Sequence, residues 1–147
     1  MIEIRAYGTP GPQGSKRFVG VSKAGKGLMV ESSKKVMPWR EAVKWAAINA
    51  RGKAHAATLD GPLFVSMVFT LAKPKSAPKT RKTYPKTKPD LSKLARSTED
   101  ALTDAGLWTD DARVVEYTRL AKVYPGEDAD SLDSPGVVIR AMERTSK

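Results

Sequence analysis

The sequence predicts an α+β fold: one domain over residues 1–147, with a mixed or antiparallel sheet packed against two main helices. Three observations carry this expectation. The elements read as three strands, a helix, a strand, a helix and two strands, which is not the strict alternation of a doubly wound sheet. A length of 147 residues suits one domain, and such a chain buries enough surface to fold without disulfides or metal. With 40% hydrophobic and 29% charged residues it reads as globular, and no apolar run approaches the ~20 residues of a bilayer span. No signal peptide is visible at MIEIRAYG. Cysteine is absent, which excludes thiolate zinc sites and is compatible with a cytoplasmic protein.

Ile2–Tyr7 alternates Ile2, Ile4 and Ala6 as a strand does. A turn-rich loop, Gly8 to Gly14, leads through Ser15, Lys16 and Arg17 to a strand at Phe18–Ser22, a hairpin turn at Lys23–Gly27 and a return strand at Leu28–Glu31. Pro38 opens a helix running to about Arg51, with Val36, Trp39, Val43, Ala46, Ala47 and Ala50 at helical spacing and Gly52 as its cap. Leu63–Ala72 is the most apolar stretch, rich in β-branched and aromatic residues, and is expected as the central strand. Asp90 is placed as the N-cap of a second helix reaching about Asp104. Its buried stripe is Leu91, Leu94, Ala95, Thr98, Ala101, Leu102 and Ala105, and Gly106 stops it. Ala112–Val123 alternates as a long strand exposed on one face, an acidic turn covers Pro125–Ser134, and Gly136–Met142 is the last strand.

Charge is unevenly spread. The chain carries 26 Lys and Arg against 16 Asp and Glu, a net +10. Such a balance favours a polyanionic partner, nucleic acid before anionic membrane. Residues 1–88 hold a net +14 and residues 89–147 a net −4. The excess peaks at Lys73–Lys88, where Lys73, Lys79, Arg81, Lys82, Lys86 and Lys88 are interleaved with prolines and no acid intervenes. That composition reads as an exposed, mobile loop. A basic arm running into carboxylates suits a metal-dependent nuclease, in which cationic side chains hold phosphates and carboxylates hold cations.

Several patterns carry less. Gly20-x-x-x-x-Gly25-Lys26 nearly matches a phosphate-binding loop, but Gly27 stands where a Mg²⁺-binding hydroxyl is needed, so a hairpin turn is favoured. Glu127, Asp128, Asp130 and Asp133 resemble half a calcium loop but lack its glycine and read as a solvated acidic turn. His55, the single histidine, is a surface residue near a helix end, and zinc or triad chemistry is disfavoured. Asp90, at a helix start, and Asp110-Asp111, one helix later, are placed where a returning chain brings carboxylates together. Hard oxygen ligands of this kind suit Mg²⁺, with Mn²⁺ as a substitute. Consecutive aspartates diverge in a strand, so one of Asp110 and Asp111 is the primary ligand, and a solvated turn is the competing reading.

The stretch from Pro89 to Val114 resembles the signature of the RusA-type endodeoxyribonucleases, the Holliday-junction resolvases often carried by phages. Its parts are Pro89-Asp90, Arg96, Asp100-Ala101-Leu102-Thr103 and Trp108-x-Asp110-Asp111, and Gly8-x-Pro10 with Gln13, Ser15, Lys16 and Arg17 is similar to the family's opening. The resemblance implies a RusA-like fold and a homodimer that grips four-way and other branched DNA and makes paired, symmetric nicks with divalent metal. It implies Asp90 and Asp111 as metal ligands with Asp110 beside them, and Arg96 as the catalytic or DNA-contacting cation. Lys16, Arg17, Lys93 and the basic loop would bind DNA. Asp100, four residues after Arg96, shares its helix face and can orient it. The sequence departs from the family pattern at Ser92, where the family has a second aspartate. Weaker metal affinity, compensation by Asp110, and a branch that binds junctions but cleaves poorly all remain open.

Overall fold

The computed structural model describes residues 1–14, 16–21, 27–31 and 34–144, with the backbone alone described at 16–21 and 27–31. The elements are β1 (Ile2–Tyr7), β2 (Lys16–Val21), β3 (Gly27–Glu31), α1 (Val36–Lys53), β4 (Leu63–Thr70), α2 (Leu91–Asp104), a 3-10 turn (Asp111–Arg113), β5 (Val114–Val123) and β6 (Gly136–Glu143). The main sheet has the order β1-β6-β4-β5. β6 is antiparallel to both neighbours, and β4 is parallel to β5. The fold is therefore α+β with a mixed sheet, and the apolar stretch opening at Leu63 is an interior strand as expected. β2 and β3 form a separate antiparallel ribbon. The expected turn at Lys23–Gly27 falls, except for Gly27, outside the described residues.

Period-two patterning decides what the sheet shows to the helices. Ile2, Ile4 and Ala6 of β1 are buried, as are Leu63, Val65, Met67 and Phe69 of β4 and Val137, Ile139 and Ala141 of β6. Against them pack Trp39, Val43 and Ala47 of α1 and Leu94, Ala101 and Leu102 of α2. Trp39 Nε1 donates to Thr98 Oγ1 at 3.1 Å, so the polar atoms where the helices cross are satisfied. Among the described residues no helix is long and apolar enough to cross a membrane.

The helix ends differ from expectation in one case. α2 stops as predicted: Gly106 takes a left-handed φ of 72°, its N–H bonds Thr103 O at 3.0 Å, and Leu107 N–H bonds Leu102 O at 3.1 Å. α1 does not stop at Gly52, which stays helical. His55 adopts the left-handed φ of 49°, bonding Gly52 O at 3.2 Å while Ala56 N–H bonds Arg51 O at 3.0 Å. The same closure is thus made three residues later by a histidine.

Two further expectations are corrected. The alternation of residues 112–123 is broken by register shifts between Leu63 and Phe64 and between Val65 and Ser66, opposite β5. Val114, Tyr117 and Leu120 therefore pack together against the core, although strict alternation puts Tyr117 on the other face. The acidic turn is not simply solvated. Arg119 Nη2 meets Asp128 at 2.7 Å, Arg140 meets Asp130 and Glu3 at 2.9 Å, and Lys73 meets Glu127 at 2.5 Å. These pairs clamp the turn to the sheet and to the start of the basic loop.

Candidate active site

α2 organises the site, because every residue of the Pro89–Asp111 signature lies on it or is packed to it. Ala101 and Leu102 are fully buried. Thr103 Oγ1 accepts from Trp108 Nε1 at 2.7 Å, and Trp108 is itself buried. The segment is also bridged to the chain before β4, with Leu59 N–H bonding Leu107 O at 2.9 Å and Thr109 N–H bonding Leu59 O at 3.0 Å. Asp60 adds a 3.1 Å pair with Arg113 and accepts from Thr109 Oγ1 at 2.6 Å, and these bonds hold its carboxyl below the usual range. Half of the signature thus works by packing, and its effect is to fix where Asp110 and Asp111 emerge.

They emerge beside the second half of α2. Asp110 caps the 3-10 turn, accepting from Ala112 N–H at 2.9 Å. This bond, with one from Asp111, lowers its pKa. Asp111 is shifted the other way, upward, first by its neighbour Asp110 as a hydrogen-bond partner, then by slight burial and by the charges of Asp110 and Asp100. Glu99 is half-buried and raised by burial and by the charges of Asp111 and Asp100, while Arg96 pulls it down. Beneath it Tyr117 O–H donates to Glu99 Oε2, and burial together with that bond pushes the phenol far above its ordinary range. Four carboxylates, Glu99, Asp100, Asp110 and Asp111, gather here, with Arg96 acting on Glu99 and Arg113 on Asp110.

Asp90 lies at the other end of the helix. It occupies the N-cap position but makes no side-chain cap bond, and its carboxylate sits 3.7 Å from Lys93 Nζ. Ten residues of helix separate it from Asp100, about 15 Å at 1.5 Å per residue, and the charges that act on Asp111 are those of Asp110 and Asp100. Among the described residues no three acidic or histidine side chains form a ready-made metal site. Ser92 and Arg96 are exposed on α2 between the two loci.

Around Asp90 opens a cleft of about 560 Å³. Its wall from the N-terminal loop is held by Gln13 N–H bonding Lys93 O at 3.0 Å and by Ser97 Oγ donating to Gly11 O at 2.6 Å. Gly11 must be glycine there, since a Cβ would strike the Lys35 carbonyl. On the opposite side Lys122 Nζ bonds Thr87 O at 2.8 Å and Pro89 O at 2.9 Å.

Of the expected DNA contacts, Lys79, Arg81, Lys82, Lys86, Lys88 and Lys93 are exposed. Lys73 is drawn inward, its side chain 15% exposed against Glu127. Lys16 and Arg17 lie on β2, and their side chains fall outside the described residues. Helix spacing puts Glu99 about 10 Å from Ser92, too far to replace it, and sequence reasoning gives it no other role; Tyr117 it missed. Glu99 falls on the same helix face as Arg96 and Thr103, which spacing alone could have shown, whereas Tyr117 depends on bulges that leave no mark in the sequence.

A family model described as Endodeoxyribonuclease RusA matches residues 8–140. A search of curated proteins gives no significant match. The family match covers both loci on α2, the cleft and the basic loop that borders it, and the chain belongs to the RusA endodeoxyribonuclease family.

Proposed function

We propose that this protein is a Mg²⁺-dependent endodeoxyribonuclease that resolves Holliday junctions and other branched DNA by paired, symmetric nicks, as a homodimer in the bacterial or phage-infected cytoplasm. The observation that carries the reading is the family match over residues 8–140, with the consecutive carboxylates Asp110 and Asp111 exposed at the surface within it. Mg²⁺ is commonly held by one or two carboxylates and completes its shell with water and substrate phosphate. The Asp110–Asp111 pair fits that donor set, Mn²⁺ serving as a substitute. Asp110 and Asp111 would hold the cation, which would there supply polarisation of the phosphodiester and a more acidic water. Arg96 neutralises charge growing on the scissile phosphate, and Asp100, one turn along, orients it. Lys79, Arg81, Lys82, Lys86, Lys88 and Lys93, with Lys16 and Arg17, hold flanking phosphates without reading sequence.

Asp90 belongs to the same cation in this proposal. Because α2 holds it about 15 Å from Asp100 within a chain, it reaches the cation only from a second copy, Asp90 of one protomer serving Asp111 of its partner. A two-fold dimer then carries two such sites, one for each nick.

Incubating labelled four-way junction DNA with the protein and Mg²⁺ tests the activity. Paired nicks are expected, and Asp111→Asn lowers the rate by about a hundredfold or more while junction binding persists. No nicking at any Mg²⁺ or Mn²⁺ concentration overturns the enzyme reading. Refolding Asp90→Asn and Asp111→Asn together tests the shared site: the mixed dimer keeps one intact site and makes single nicks, whereas a site within one chain leaves the mixture inactive. The second reading, a branched-DNA-binding protein with attenuated or no cleavage, is favoured by the neutral, exposed Ser92. It predicts tight junction binding without nicks.

A further inference from the structure

The cleft beside Asp90 has a composition that phosphate binding alone does not explain. Its apolar lining is Pro10, Pro12, Leu71, Pro85 and Tyr124, which is 7% exposed and carries the Lys73 ammonium 5.7 Å from its ring centroid. Its rim is cationic, with Lys34, Lys35, Lys88 and Lys93 around the mouth and the Asp90 carboxylate among them. A surface that held only the DNA backbone would need the lysines and no hollow. A pocket for an apolar molecule would need the hollow and no lysines.

We infer that the cleft receives one unstacked nucleotide of the bound DNA, its base between the proline and tyrosine walls and its two phosphates on the lysine rim. The inference rests on the proposed nuclease reading, which puts the scissile phosphate at Asp90, so the nucleotide is one that flanks the cut. Size agrees, since about 560 Å³ lies within the ~300–1,000 Å³ of small-molecule pockets. An aromatic side chain stacks any base through its π-face, and the proline rings supply apolar contact to the other side. The walls are fixed before DNA arrives, by Gln13 to Lys93, Ser97 to Gly11, and Lys122 to Thr87 and Pro89. Extruding a base costs a few kcal/mol in a continuous duplex and least where stacking is already broken, which is the condition at a branch point.

The test places 2-aminopurine singly at each of the three nucleotides on either side of the branch point in every strand of a four-way junction. Wild-type protein is added in EDTA, so that binding is read without cleavage. One position is expected to brighten several-fold, and an abasic nucleotide at that position to weaken binding about tenfold by anisotropy. Ala72→Leu and Thr87→Leu, two exposed lining positions, are expected to remove the brightening while the junction still binds. The inference is overturned if no position brightens at saturation, if the abasic junction binds as tightly as the intact one, or if both leucine variants brighten as wild type does. The readout needs no metal, so a protein that never nicks can still pass it. One that nicks without brightening refutes the cleft and leaves the nuclease reading standing.

Discussion

Replacing Asp128 by asparagine tests whether the acidic turn is clamped by charge. Asp128 accepts from Arg119 Nη2 at 2.7 Å and Nη1 at 2.8 Å, and from Asp130 N–H at 2.9 Å. Its side chain is only 9% exposed. These donors hold its pKa down to about 2, against an ordinary 3.8. A carboxylate whose folded pKa is depressed adds stability above its unfolded pKa and loses it as pH falls through the folded one, here between about pH 4 and pH 2. The full difference corresponds to about 2 kcal/mol, and screening at Arg119, whose side chain is 38% exposed, trims this to about 1–2 kcal/mol. The amide of Asp128→Asn keeps the shape of the carboxyl group and resembles its protonated form. Urea unfolding followed by tryptophan fluorescence, with Trp39 and Trp108 buried, is expected to show the variant about 1–2 kcal/mol less stable at pH 7, with about half that deficit left at pH 3. A deficit that stays constant from pH 7 to pH 3 refutes the charge argument and leaves only packing.

Other variants probe the remaining loci. Tyr117→Phe removes the donor to half-buried Glu99 and should cost about 1–2 kcal/mol in urea unfolding; an unchanged midpoint would mean the bond is not formed in solution. His55→Gly relieves a left-handed non-glycine residue and should add about 1 kcal/mol, and a loss of stability would show that the imidazole makes compensating contacts. Ser92→Asp places an acid in the first turn of α2, which has none, and should add about 0.3–1 kcal/mol without metal. In nicking assays it should lower the Mg²⁺ requirement, and an unchanged requirement would place position 92 away from the cation.

The parts of the fold legible in sequence are those that local chemistry decides alone. The buried stripe of α2 and its stop at Gly106 are fixed by spacing and by one glycine's freedom to take a left-handed φ. Ile2, Ile4 and Ala6 likewise show their face by alternation. Where local signals mislead, a tertiary partner has overridden them. Gly52 looks like a cap, yet α1 continues until His55 closes it, and Arg51, kept on the last turn, donates to Gly106 O and Thr58 Oγ1. The turn at 127–130 looks solvated because Arg119 and Arg140, on the strands either side of it, and Lys73, 54 residues from Glu127, meet it only once the sheet has formed. Site chemistry divides the same way: Asp90, Arg96, Asp110 and Asp111 are visible as a spaced motif, but their separation into two loci along α2 is a length in space.

That separation bears on how Ser92 is tolerated. Four signature positions, and Ser97 beside them, contribute to packing. Ala101 and Leu102 fill the core, Thr103 and Trp108 hold the return of the chain, and buried Ser97 anchors the cleft wall. Substituting any of them disturbs the fold before it disturbs chemistry. Ser92 is exposed in the first turn of α2. Exchanging an acid for a hydroxyl there costs the structure at most the fraction of a kcal/mol that a first-turn carboxylate gains from the helix dipole. The fold therefore sets little penalty against Ser92, and under the proposed function any larger consequence of the change is expected in cation affinity or in DNA contact. Position 92 is thus one that this architecture lets vary at a cost of no more than about 1 kcal/mol.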